Sequence, residues 1–159
     1  MRIADRRSPS LSGLRAASRS SSYAKKRNGN CDTALQLVLR KLLWKCGLRY
    51  RKNVKTLPGK PDIVFVGQRI AVFCDGDFWH GRHWRRLSAK LRVGTNASYW
   101  LQKILSNHRR DREAEKLLRR EGWTVLRFWE TDIHHNPEQV ASEIKQLVGD
   151  SHQGCNAIH

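Results

Sequence analysis

Asp62 and Asp75 are the residues of this 159-residue chain whose placement first suggests chemistry. Both lie in the stretch from Pro61 to Gly81, PDIVFVGQRIAVFCDGDFWHG, which reads as two strands on a tight turn followed by a loop rich in groups able to handle phosphate. Residues 62–66 and 70–73 are mostly β-branched or aromatic, and Gly67-Gln68 between them predicts a two-residue hairpin turn. In that register Asp62 faces Phe73, and Cys74 and Asp75 emerge at the same end of the sheet. Two carboxylates from separate strands are thereby brought close. They repel, and a protein tolerates such a pair when a cation lies between them. A divalent-cation site is the first expectation.

The elements that must position these groups can be read on either side. Leu35, Val38, Leu39, Leu42 and Leu43 recur at helical spacing, with Asp32 or Thr33 as cap and Gly47 as terminator. Residues 48–54 alternate as a strand, and Leu57-Pro58-Gly59-Lys60-Pro61 is a turn into the hairpin. Residues 82–96 are basic and poorly patterned; they form either a solvated face or a phosphate-binding segment. A long helix is predicted over 97–120, ended by Gly122, with Trp100, Leu101, Ile104, Leu105, Leu117 and Leu118 on its apolar face. Asp111 falls on or beside that face and needs a partner, for which Arg109, Arg110 and Arg112 are neighbouring candidates. A strand over 123–130 follows. Asn136-Pro137 then opens a last helix carrying Val140, Ile144, Leu147 and Val148.

Charge narrows the partners. A formal charge of +17 and a pI near 10.6 point to a polyanion. Nucleic acid comes before membrane, because no apolar run approaches a membrane span and no lipid-facing stripe accompanies the basic residues. Cys31, Cys46, Cys74 and Cys155 are scattered without a CxxC pair, which argues against a zinc ribbon and a disulfide scaffold. No apolar secretory region opens the chain, so a reducing, cytoplasmic setting is expected; a monomer is expected as well. Residues 1–30 hold eight Lys or Arg against one acid, with seven serines, and read as a disordered basic arm. Residues 31–150 form the expected domain and 151–159 a frayed tail.

The order of helix, strand, hairpin, helix, strand and helix resembles the αβββαβ core of the PD-(D/E)xK nuclease superfamily, an α/β restriction-endonuclease-like fold with a central mixed sheet flanked by helices. More specifically, the chain resembles the very short patch repair (Vsr) endonucleases, which nick DNA beside thymine–guanine mismatches. The similarity rests on LPGKPDIVF at 57–65, FCDGDFWHG at 73–81, the YWLQKI…N…RD segment at 99–111, and GWTVLRFWE at 122–130. It implies that Asp62 holds Mg²⁺, that Cys74 gives the metal only its backbone carbonyl, and that His80 helps activate the attacking water while Asp111 orients it. Phe78 and Trp79 match aromatics that wedge into the base stack, and Arg82, Arg85 and Arg86 are expected beside them on the DNA.

Three departures stand out. Gln36 occupies the place of an active-site glutamate in the best-described members, and Asp75 that of a second histidine. The family's structural zinc ligands align with Asp77, Arg82, Trp84 and Thr131, which cannot rebuild a Cys/His site, so structural zinc is not expected. The expected activity is Mg²⁺-dependent nicking of double-stranded DNA at a T·G mismatch, in a bacterial, nucleoid-associated repair setting with repair proteins as candidate partners. Asp75 is a second candidate at the metal. Two alternatives stay open: a nuclease of the same fold with a restriction-type target, and a basic nucleic-acid-binding protein without catalysis. His80 as a plain loop histidine, and Phe78 and Trp79 as core aromatics, are the corresponding bland readings.

Overall fold

The computed structural model describes residues 33–94 and 96–153. The expected basic arm and the last residues of the tail lie outside them. Helix α1 (Ala34–Lys45) starts at Thr33, whose Oγ1 accepts the Gln36 N–H at 3.4 Å. It ends at Gly47, where φ is +80° and the Gly47 and Leu48 N–H groups bond the Trp44 and Leu43 carbonyls. Its inward stripe is Gln36, Leu39, Arg40 and Leu43. Val38 falls off that stripe and is 42% exposed, against expectation.

Strand β1 is only Arg51–Lys52, shorter than the alternation of 48–54 predicts. Asn53 takes a left-handed φ of 49° and ends it. Strands β2 (Ile63–Phe65) and β3 (Ile70–Asp75) form the expected hairpin, with Ile63 opposite Val72 and Phe65 opposite Ile70. The turn closes through the Arg69 N–H on the Val66 carbonyl at 3.2 Å, with Gly67-Gln68 at its centre. Strand β3 extends beyond the expected Phe73, because Cys74 and Asp75 pair with Phe128 and Trp129 of β4 (Thr124–Trp129). The sheet runs β1-β2-β3-β4, antiparallel except for the parallel β3–β4 pair. This is the mixed α/β sheet flanked by helices that the pattern predicts.

Alternate side chains of the hairpin serve two apolar layers, which is why its strands read as near-continuous apolar runs. Ile63, Phe65, Ile70 and Val72 pack with Leu39 and Leu43 of α1. Ala71 and Phe73 pack on the other side with Val125 and Leu118. Leu118 belongs to α3 (Ala97–Arg120), whose buried residues are Ile104, Asn107, Ala114 and Leu118. Leu105, expected inside, is 49% exposed, since the inward stripe steps by three and four from Ile104.

Two helices are additional to the predicted order. Helix α2 (Trp84–Arg92) buries none of its residues fully, and Trp84, Leu87 and Leu91 recur at helical spacing as its half-buried side, a pattern obscured by the basic residues between them. Helix α4 (Glu130–His135) is a single short segment anchored by Ile133. The last helix, α5 (Pro137–Gln153), runs past the boundary expected at 150.

Candidate active site

Asp62 sits just before β2, after the buried Pro61. Its N–H donates to the Val72 carbonyl, and its own carbonyl accepts from Asn53 N–H and Arg40 Nη2, so the backbone is held on both sides. Its carboxylate is held as well. Oδ2 accepts the Cys74 N–H at 2.7 Å, and Oδ1 accepts Gln36 Nε2 at 2.9 Å. Burial nevertheless pushes the Asp62 carboxyl above its usual range, with the Cys74 N–H and Arg40 opposing only in part and Asp75 adding to the rise. The same burial raises the Cys74 thiol far above its ordinary value, so its side chain is inert at neutral pH.

His80 arrives from a different direction. Residues 76–82 wind into consecutive tight turns: the His80 N–H bonds the Gly76 carbonyl, Gly81 bonds Phe78, and Arg82 bonds Asp77. The loop is seated on α3. Asn107, buried, donates Nδ2 to the Trp79 carbonyl at 2.9 Å. Gly81 has a φ of +64°, and a β-carbon there would lie 2.6 Å from His108 Nε2 and 3.0 Å from Ile104. Only glycine lets the loop approach this closely. Asp111, one turn beyond Asn107, then meets the imidazole: Oδ2 lies 2.7 Å from His80 Nδ1. The partner of Asp111 is therefore His80, not a neighbouring arginine of its own helix.

The electrostatics of this pair follow from its surroundings. Burial is the largest influence on His80 and lowers its pKa, but the Asp111 hydrogen bond and the charges of Asp75 and Asp111 outweigh it, leaving the pKa raised. Burial likewise opposes the Asp111 charge, and the bond to His80 with the charges of His80 and Arg127 holds that carboxyl below its usual range. An ionised carboxylate only accepts, so the neutral imidazole carries its proton on Nδ1 and leaves Nε2 as the basic nitrogen.

Asp75 does not lie open toward a cation. It is 5% exposed and is gripped by Arg127 of β4, with Nε 2.6 Å from Oδ2 and Nη2 2.7 Å from Oδ1. Both oxygens are engaged, which removes the ground on which two repelling carboxylates would share a metal. Arg127 lies in the GWTVLRFWE segment, where no role was assigned to it. Its signal was a lone arginine between Leu126 and Phe128 in an otherwise apolar strand. Asn107 stands in the YWLQKI…N…RD segment of the resemblance, but no role was assigned to it there.

Phe78 and Trp79 touch one another edge-on, with ring centroids 5.2 Å apart, and both meet Trp100 of α3, at 5.6 and 5.9 Å. An extended loop would have pointed adjacent rings apart; the turns gather them instead. Phe78 is 38% exposed, so the cluster has a solvent face. Arg85 and Arg86 are exposed on α2. Arg82 is partly buried and engaged: Nη2 lies 2.7 Å from Asp132 Oδ1, Nη1 lies 3.6 Å from Asp77, and Thr131 donates to Asp77. Asp77, Arg82 and Thr131, three of the four positions aligned with the resembled family's zinc ligands, thus join Asp132 in a polar clasp between the loop and α4.

The sequence model of the family described as DNA mismatch endonuclease Vsr matches residues 14–86. A type II nicking enzyme of Neisseria meningitidis serogroup C is 43% identical over 123 residues, covering 77% of this chain and 82% of that protein. This chain belongs to the Vsr family. A type II nicking enzyme of Haemophilus parainfluenzae is 40% identical over 119 residues, covering 75% of this chain and 83% of its own length. The DNA mismatch endonuclease Vsr of Escherichia coli K12 is 38% identical over 99 residues, 62% of each chain. The protein is accordingly a Vsr-family DNA endonuclease with the restriction-endonuclease-like fold. Among the described residues no helix is long and apolar enough to cross a membrane.

Proposed function

We propose that this Vsr-family endonuclease hydrolyses one phosphodiester bond beside a T·G mismatch in duplex DNA, in a reaction that requires a divalent cation such as Mg²⁺. The observation that carries the reading is the His80–Asp111 pair at 2.7 Å, held by a loop whose next-door aromatics form a partly exposed cluster. A base and a wedge are thereby offered by one loop. Hydrolysis of a phosphodiester needs a base for the attacking water, and His80 Nε2 is the basic nitrogen available. Asp111 fixes the ring's tautomer and its plane. The mismatch weakens stacking, so insertion of Phe78, Trp79 or Trp100 into the step costs less there than in paired DNA.

Among the described residues, no three His, Cys, Asp or Glu side chains converge as a ready-made metal cage. Mg²⁺ does not need one, since it takes one or two carboxylates and keeps several waters. The donors that fit are oxygens: the Asp62 carboxylate, the Cys74 carbonyl, and Gln36 Oε1, which is buried without a hydrogen-bond partner. A bound cation would supply charge neutralisation at the phosphate. Asp75 is left out of this set because Arg127 occupies it.

The test is a nicking assay on matched and T·G-containing duplexes, with Mg²⁺ or with EDTA, for the wild type and Asp62→Asn. Cleavage of the mismatched duplex alone, only with Mg²⁺, and slowed by ~1,000-fold in the variant, is the expected result. Equal cleavage of matched DNA would favour the second reading, a strand-nicking enzyme with a restriction-type target. That reading draws on the relatives named type II nicking enzymes.

A further inference from the structure

Arg127 stands where it reaches two carboxylates of the site at once. Its Nε and Nη2 bind both oxygens of Asp75, and Nη2 also lies 3.5 Å from Asp111 Oδ2, the same oxygen that accepts from His80 Nδ1. The parallel β3–β4 register explains the reach, because Arg127 is paired with Phe73 and its guanidinium lies over that ring, 4.9 Å from the centroid. Phe73 and the backbone ladder thus fix the guanidinium from below while Asp75 fixes it in its own plane. A fork held on two sides cannot swing away from Asp111 without breaking the bidentate grip.

We propose that Arg127 is a positioning residue for the nicking reaction, setting the orientation of the Asp111 carboxylate and, through it, of the His80 ring. The inference rests on the reading of His80 and Asp111 given above. It assigns Asp75 a structural purpose in the same chain of contacts: Asp75 anchors Arg127, Arg127 braces Asp111, and Asp111 holds His80. His80 Nδ1 also lies 3.7 Å from Asp75 Oδ1, so without the guanidinium the ring would face two carboxylates competing for one proton. With Arg127 in place Asp75 is already satisfied, and Asp111 is the nearer acceptor. Lysine could not do this, since an ammonium offers no planar fork to grip one carboxylate by two donors while touching a second.

Two variants separate bracing from mere charge balance. Arg127→Gln leaves Asp75 buried without its counterion, so its melting temperature should fall whichever idea holds. The double variant D75N/R127Q removes that buried charge and should regain most of the melting temperature. Bracing of Asp111 is still missing there, so kcat for nicking should remain about 100-fold below wild type, the loss expected of a misplaced catalytic group, with KM for duplex little changed. The His80 Nδ1–H resonance should be sharp and protected in the wild-type protein, where Asp111 accepts that proton, and should broaden or vanish in both variants. Recovery of kcat together with the His80 resonance in the double variant would overturn the proposal and leave Arg127 as a counterion to Asp75. An unchanged resonance in Arg127→Gln would overturn it as well. If His80→Ala nicks as fast as wild type, the catalytic reading itself fails, while the resonance still reports whether Arg127 orients the ring.

Discussion

His80 and Asp111 titrate in opposite senses, and this gives the pair a recognisable pH signature. The His80 pKa is raised above its ordinary value of 6.5, so its contribution to stability is fully present below about pH 6.5 and is lost as pH rises through the raised value. The Asp111 pKa is lowered below 3.8, so its contribution is present above about pH 4 and is lost as pH falls through the lowered value. The bond is strongest between those limits. A base must first lose its proton, so single-turnover nicking should climb as pH passes a value above about 6.5, and His80→Ala should be slow and lack that limb. An unchanged profile in the variant would remove His80 from proton transfer. Gln36 gives a second test at this scale. Its amide donates to Asp62 at 2.9 Å, and a glutamate there would set a second carboxylate against an already strained one. Gln36→Glu should lose about 1–3 kcal/mol of stability in EDTA and recover much of it with Mg²⁺, because only a cation between the two relieves the repulsion. Melting curves with and without Mg²⁺ check this, and a loss that Mg²⁺ leaves untouched would argue against a cation at Asp62.

At the level of elements, the hairpin was legible from sequence because its turn chemistry and strand composition agree. Gly67-Gln68 set the register, and the Asp62 side chain accordingly reaches the Cys74 N–H. The helical form of α2 and the turns of 76–82 were not read from the sequence. In α2 three apolar residues, Trp84, Leu87 and Leu91, keep helical spacing but stand among four basic ones, and the loop's coiling depends on contacts with α3 through Asn107 and Gly81 that are distant in sequence. The pairing of His80 with Asp111 came from family resemblance rather than from periodicity, which only placed Asp111 beside the inward stripe. Coiling gathers Phe78, Trp79 and Trp100 into one cluster, which on the proposed function would wedge as a unit. Replacing Phe78 and Trp79 by alanine should erase the preference for T·G over matched DNA while the loop keeps its seat through Asn107. The slope of affinity against salt should stay nearly the same, because counterion release depends on basic residues. If the preference survives and only the melting temperature drops, the aromatics serve packing.

Across the whole molecule, the charge of +17 was readable at once, yet it says only that a polyanion is approached, not where. The layers make that specific. Between residues 33 and 61 there is no Asp or Glu, so the approach to Asp62 along α1 and β1 is lined by one sign of charge. The loop that carries His80 is fastened to α4 by Arg82, Asp77, Thr131 and Asp132, a clasp of side chains whose polar bonds are made within the protein itself. If the proposed cation dependence holds, the architecture is thereby uncoupled from the ion the reaction needs. A chelator should act as a clean switch: EDTA should leave the melting temperature within about 1 °C while nicking stops, and added Mg²⁺ should restart it without any refolding lag. Concentrated salt, which screens exposed ion pairs, should instead loosen the clasp and lower the melting temperature. Unfolding in EDTA would show that the fold holds a metal of its own. Otherwise the enzyme can be purified, stored and loaded on DNA in an idle state, then started at a chosen instant by a single addition.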